Sequence, residues 1–185
     1  MLKFNLKGCR LKRLAIISLS GMILLLGAYF VPFRLAVVSG PSMTPTLHSG
    51  QLLVVDQRYG KSGHTVARAD IVSFNFHGSK YVKRIYGLPG DVIYQLNTDN
   101  EPAMLIDSKQ LEHIRKSVLS RRSDARIVKV VVSPGQVYLL GDGGMLSVDS
   151  RSFGPQPQSA IIGKVTPLKD VMKKFRPLIS VSFFQ

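Results

Sequence analysis

YVKRIYGLPGD, residues 81–91, sets two cations among four bulky apolar side chains and then stops at a Leu-Pro-Gly-Asp turn. A short run rich in Tyr, Val and Ile that ends in Pro-Gly reads as a strand. The strand period of two puts Tyr81, Lys83 and Ile85 on one face and Val82, Arg84 and Tyr86 on the other. If the first face is interior, desolvation disfavours the Lys83 ammonium and lowers its pKa toward neutrality, where an amine can act as general base. Arg84 cannot take that role, because guanidinium stays protonated. A surface lysine on an edge strand is the alternative that this stretch alone leaves open.

The same signature recurs on both sides: QLLVVDQ (51–57), DIVSFNF (70–76), DVIYQL (91–96), RIVKVVV (126–132), QVYLLG (136–141) and AIIGKVTPL (160–168). Seven such runs between Gly, Pro, Asp and Ser punctuation predict a mostly β domain over residues 34–185. Residues 97–127 break the pattern. Asp99, Glu101, Asp107 and Glu112 come first, and Arg115, Lys116, Arg121, Arg122 and Arg126 follow. Leu111, Ile114, Val118 and Leu119 recur at helical spacing, with Asp107 or Ser108 available as N-cap. This inserted segment reads as an amphipathic helix or as a flexible solvated excursion. The end of the chain carries Lys164, Lys169, Lys173, Lys174 and Arg176 ahead of PLISVSFFQ. It reads either as a segment lying on a bilayer surface with Phe183 and Phe184 dipping inward, or as a strand or disordered end.

Upstream of the strands, residues 14–33 (LAIISLSGMILLLGAYFVPF) are free of charge. As a helix they rise roughly 30 Å, the thickness of a bilayer's hydrocarbon core. Lys3, Lys7, Arg10, Lys12 and Arg13 precede the run with no acidic residue, so residues 1–13 read as a cytoplasmic tail and the body as lying on the outer, periplasmic face. The length of the run and its continuation into FVPFRLAVV favour a retained single-pass anchor over a cleaved signal peptide. The only cysteine, Cys9, is in that tail, which leaves the domain without disulfides or thiol chemistry. The chain carries 25 Lys and Arg against 11 Asp and Glu, a net charge of +14. Without the arginine and aromatic interleaving of a nucleic-acid groove, that charge reads as attraction to anionic lipid, and no nucleic-acid partner is expected. His48, His64, His77 and His113 show no metal-ligand spacing, and neither a metal nor a cofactor is expected.

Two further stretches carry chemistry. SGPSMTPTLHSGQ, residues 39–51, wedges Ser42 between a proline and a methionine just beyond the apolar run, and GDGGMLSVDSR, residues 141–151, needs unusual backbone angles and can aim hydroxyls inward. Asp149 and Arg151, two apart, share a side of an extended segment and can pair; alone they would be a surface ion pair of little worth. Taken in order, PSMTPTL, RADIVSF, YVKRIYGLPGD and GDGGMLSVDSR resemble the blocks of the type I signal peptidases, membrane-anchored serine proteases with a Ser-Lys dyad.

The resemblance implies a signal-peptidase-like β-fold and a set of roles. Ser42 is the implied nucleophile and Lys83 its general base. Ser147 holds the Lys83 amine in line, while Asp149 and Arg151 brace the loop that carries Ser147. The Ser42 N–H forms part of an oxyanion hole, and Met43 and Pro45 fix the turn and line the substrate cleft. Some members place a serine two residues before the nucleophile to complete the hole; this chain has Gly40, as other members do. Gly143 and Gly144 stand where the family's loop usually has Asn after Gly-Asp, and Gln51 stands where an Asp often follows the glycine. The implied activity is removal of signal peptides from exported preproteins at the plasma membrane. A specialised pilin-maturation peptidase of a conjugative system, acting on prepilin and able to join its ends, is the alternative within the same fold.

Overall fold

The computed structural model describes residues 16–25, 27, 32–61, 65–99, 101–118 and 120–179. The basic tail with Cys9, together with His64, Leu119, Phe183 and Phe184, lies outside the described residues. Among the described residues ten strands form two antiparallel sheets. Strands β1 (Phe33–Val37), β2 (Leu52–Asp56), β3 (Ile71–Phe76), β4 (Ser79–Gly87) and β5 (Val92–Asn97) are followed by β6 (Met104–Ile106) and α1 (Leu111–Ser117). Then come β7 (Arg126–Val131), β8 (Gln136–Leu140), α2 (Ser150–Phe153), β9 (Gln156–Pro157), β10 (Ile161–Pro167) and α3 (Leu168–Ile179). The larger sheet runs β1-β2-β10-β3-β4-β8-β9, and the smaller one β6-β5-β7. The predicted mostly β architecture is therefore what the chain adopts.

Strand β4 lies in the interior of the larger sheet, between β3 and β8, which rules out the edge-strand reading of Lys83. It is paired with β3 through a two-residue turn at His77 and Gly78, both with positive φ, as a tight hairpin with native twist requires. Val72, Phe74, Ile85, Val137 and Leu139 are fully buried in one cluster, and Lys83 lies directly opposite Val72 in the β3–β4 register. Each such apolar side chain contributes about 1.5–3 kcal/mol, enough together to carry one amine out of water. On the other side of the sheet Met43, Leu47, Leu53 and Val165 form a second cluster, which half-buries Ile71 and Val82.

The β4–β8 register slips between Ile85 and Gly87, so Tyr86 bulges outward and Gly87 faces Tyr138. A Cβ on Gly87 would meet Ile93 Cδ1 and Tyr138 Cβ, each at 2.9 Å. These two residues, with Val132, are the core between the two sheets. Gly87→Ala is therefore expected to cost about 1–3 kcal/mol through overpacking, read as a lowered denaturant midpoint at unchanged slope.

Several boundaries differ from the sequence reading. The segment 97–127 is not one helix or a loose excursion: Asn97 closes β5, residues 104–106 form β6, and Arg126 and Ile127 open β7. Its helix is only Leu111–Ser117, and its N-cap is Gln110 rather than Asp107 or Ser108. Asp107 instead accepts the Lys109 N–H at 2.9 Å, the local turn that short acidic side chains favour over capping. Toward the C-terminal end, residues 168–179 form a helix; of PLISVSFFQ only residues 177–179 fall within it, and 180–185 lie outside the described residues. At the other end Phe33, included in the expected span, already pairs with Asp56 in β1. Residues 16–25 are helical and expose Leu24 and Leu25, but among the described residues no helix is long and apolar enough to cross a membrane.

Candidate active site

Ser42 sits on a loop whose neck is closed by paired backbone bonds, Val38 N–H to Gln51 O at 3.0 Å and Gly50 N–H to Val38 O at 2.9 Å. Gly40, at φ +87°, lets the chain turn there; a side chain would meet no obstacle, so backbone conformation is what calls for glycine. Thr44 N–H to Pro41 O (3.0 Å) and Leu47 N–H to Met43 O (2.9 Å) then wind the loop around Ser42. Met43 and Leu47, 1% and 0% exposed, plug into the second core cluster and pin it. Of the two residues expected to fix the turn, the Met43 side chain is core and Pro45 is exposed. Ser42 is half-buried, and its hydroxyl makes no hydrogen bond among the described residues.

Lys83 is 1% exposed. Among the described residues no carboxylate pairs with its amine and no hydrogen bond engages it. Burial pushes its pKa down, and the opposing fields of Asp149 and Asp142 do not offset that effect. A buried lysine without a counter-ion is rare, because its charged form has lost water and gained nothing in exchange.

The strand's other cation is fully engaged. Arg84 grips Asp142 with two bonds, 2.9 and 2.5 Å, and donates to Ala69 O at 2.8 Å and to Thr46 Oγ1 at 3.4 Å. It thereby ties the Ser42 loop to the loop after β8, and its guanidinium holds the Asp142 carboxyl below the usual range. Asp142 was absent from the sequence-based site because its partner lies 58 positions away, a separation that no local pattern reports.

The loop after β8 closes against the Ser42 loop through its glycines. Gly143 N–H donates to Ser42 O at 2.9 Å. A Cβ on Gly143 would stand 2.6 Å from Pro41 O, so glycine at 143 is what permits this close approach. A Cβ on Gly141 would fall 2.0 Å from Ser147 Oγ and 2.4 Å from Ser42 O. Ser147, the Ser42 backbone and Gly141 are therefore in mutual contact. The Ser147 hydroxyl is buried near the Asp149 carboxylate, whose pKa it helps to hold low, and has no other partner among the described residues.

Asp149 and Arg151 are joined by a bidentate pair, 2.8 and 2.7 Å, with the Asp149 side chain 0% exposed. Asp149 also accepts the Gly141 N–H at 2.9 Å and caps α2 through the Arg151 N–H at 3.2 Å. Burial alone would raise the Asp149 carboxyl, but the bonds from Arg151 and Gly141 outweigh it and hold the pKa low. Arg151 reaches on to the carbonyls of Gly144 at 2.5 Å and Ser147 at 3.4 Å, and Ser150 Oγ accepts the Leu139 N–H at 2.9 Å. A pair that sequence alone rates as a surface contact is thus a buried strut of the loop.

The mostly β body thus presents a serine on a pinned loop and, on an interior strand, a buried lysine that no carboxylate pairs among the described residues. The chain belongs to the signal peptidase family, peptidase S26, whose profile matches residues 11–168. It is 36% identical over 137 residues to Signal peptidase I of Bacillus caldolyticus, covering 70% of this chain and 75% of the relative. It is 32% identical over 137 residues to Mitochondrial inner membrane protease subunit 1 of Schizosaccharomyces pombe, covering 72% and 71%. Signal peptidase I T of Bacillus subtilis is 31% identical over 159 residues, covering 80% and 78%. The protein is a serine peptidase.

Proposed function

We propose that this protein is a membrane-bound endopeptidase that removes signal peptides from exported preproteins by a Ser42–Lys83 acyl-enzyme mechanism. Neutral Lys83 takes the Ser42 proton as Oγ adds to the scissile carbonyl. The Ser42 N–H helps to stabilise the oxyanion, and protonated Lys83 returns the proton to the leaving amine as the peptide C–N bond breaks. Water, activated by the same amine, then adds to the acyl carbon, and the ester bond to Oγ breaks. Ser147 steadies the amine between steps, and the Asp149–Arg151 strut steadies Ser147. The observation that carries this reading is the buried Lys83 amine, which no carboxylate pairs among the described residues, because burial favours the unprotonated state that a base requires.

Confinement to the membrane surface is part of the same reading. The apolar run of residues 14–32 would serve as anchor, and the cations before it would keep the N-terminus cytoplasmic. Leu35, Val37 and Leu52 are exposed on neighbouring strands, and α3 carries exposed Lys169, Lys173 and Lys174 without ion pairs among the described residues. Apolar side chains beside cations suit the headgroup region of an anionic bilayer, where the substrate's own apolar segment also lies. No observation favours ring closure of a prepilin over hydrolysis.

The test is cleavage of a preprotein by the detergent-purified full chain, followed by mass spectrometry. Ser42→Ala is expected to abolish cleavage, and wild-type products are expected to sum to the substrate mass plus one water. Cleavage that survives Ser42→Ala would overturn the mechanism. A cleaved product lighter by one water than its linear form would assign the chain to the cyclising alternative.

A further inference from the structure

The smaller sheet and the loop after β8 meet through a buried amide. Gln95, at the centre of β5, lies opposite Leu105 on β6 and Val128 on β7 and is 4% exposed. Its neighbours along the strand are Ile93, Tyr94 and Leu96, so an apolar residue would satisfy the pattern there. Its Nε2 donates to the Arg151 carbonyl at 3.1 Å. Among the described residues this is the one side-chain hydrogen bond from the strands of the smaller sheet to that loop.

The acceptor is a residue with two attachments. The last carbonyls of a helix have no partner within it, and α2 is a single turn, so the Arg151 carbonyl must find its donor elsewhere. The Arg151 guanidinium points to Asp149 and to the Gly144 and Ser147 carbonyls. Asp149 in turn holds the Gly141 N–H, and Gly141 abuts Ser147 Oγ and Ser42 O. An unbroken series of contacts therefore runs from the smaller sheet to the Ser42 loop, and Gln95 is its first member.

We propose that Gln95 is a positioning residue for the peptidase reaction, fixing the loop that carries Ser147 by anchoring the backbone of Arg151 to the smaller sheet. The proposal rests on the reading of Ser42 and Lys83 given above and assigns the smaller sheet a part in the reaction beyond filling space. Gln95 does not touch the reacting atoms. Its loss lets residue 151 and then Ser147 wander, which lowers the fraction of bound substrate that meets an aligned amine.

The experiment uses the detergent-purified full chain with two variants. Gln95→Met keeps length and volume but removes the donor. Gln95→Glu is isosteric and can donate only when protonated. For Gln95→Met we expect kcat to fall about tenfold with KM within about twofold, the signature of an interaction that matters at the transition state. The Gly141 amide, which Asp149 protects, is expected to exchange with deuterium about tenfold faster. The activity of Gln95→Glu relative to wild type is expected to rise as pH falls, because protonation restores the donor. A kcat unchanged in Gln95→Met, a loss confined to KM, or an unaltered Gly141 exchange rate would each overturn the proposal. So would a flat activity ratio for Gln95→Glu. If the Ser42–Lys83 reading is what fails, cleavage survives Ser42→Ala, while Gly141 exchange still reports on the Gln95 contact.

Discussion

Lys83→Met is expected to lose at least about 10⁴-fold in kcat and, at neutral pH, to be more stable than the wild-type protein. The two effects share one cause. Methionine fills nearly the same volume beside Val72 and Ile85 but can neither take nor return a proton. Because burial lowers the Lys83 pKa, the unfolded chain binds a proton that the folded chain rejects, at every pH between the folded value and the ordinary value of about 10.4. Across that window wild-type stability rises with pH and the advantage of the methionine variant shrinks. At pH 7 a gain of about 2–4 °C in Tm is expected, the shift that ~1 kcal/mol produces in a chain of this size. The pH–rate profile of the wild type should rise with pH through an acid limb set by the depressed lysine. A methionine variant that retains cleavage, or that melts below wild type at every pH, would show that Lys83 is neither the base nor held neutral.

Asp149→Ala is expected to be the most destabilising single change at the site. It leaves the Arg151 guanidinium, 13% exposed, without its counter-charge and orphans the buried Gly141 N–H. Breaking a buried pair from one side costs about 3–5 kcal/mol, or roughly 10 °C in Tm here. Activity should fall with it, because the Ser147 segment loses its strut. Asp149→Asn keeps the shape and one acceptor and should fall between the two. The sign of the pH dependence is opposite to that of Lys83. The Asp149 pKa is held low, so its contribution is complete above the ordinary aspartate value of about 4 and fades as pH drops through the folded value. The gap between wild type and Asp149→Asn should therefore close on acidification. A gap that is constant from pH 7 to pH 3 would mean that the charge of Asp149 is not what holds the loop.

Much of the fold was legible because strand signals are local. The alternation in residues 81–87 identified a face with Lys83 and Ile85, and both are buried on it. Residues 97–127 were less legible: MLI at 104–106 is too short to announce a strand, and it becomes one by pairing with Leu96, Gln95 and Tyr94. Phe33 looks like the end of an apolar run, because its pairing with Asp56 lies beyond any local window. Asp107 has two local uses for its carboxylate, cap or turn, and the turn prevails. At the site, Ser42, Lys83, Ser147, Asp149 and Arg151 stood out as residues. Asp142, Gly141, Gly143 and Gln95 did not, because each matters through a partner distant in the chain or through the absence of a side chain.

Residue chemistry, strand parity and ordered blocks suffice, before any coordinates, to mark a mostly β serine peptidase of the signal peptidase family. What they cannot supply is environment. That Lys83 lies in an interior strand with no carboxylate paired to it among the described residues, that Asp149 and Arg151 form a buried strut, and that two glycines let one loop close on another are consequences of tertiary packing. Desolvation and close approach depend on neighbours far away in sequence, and those neighbours exist only once the sheets have assembled.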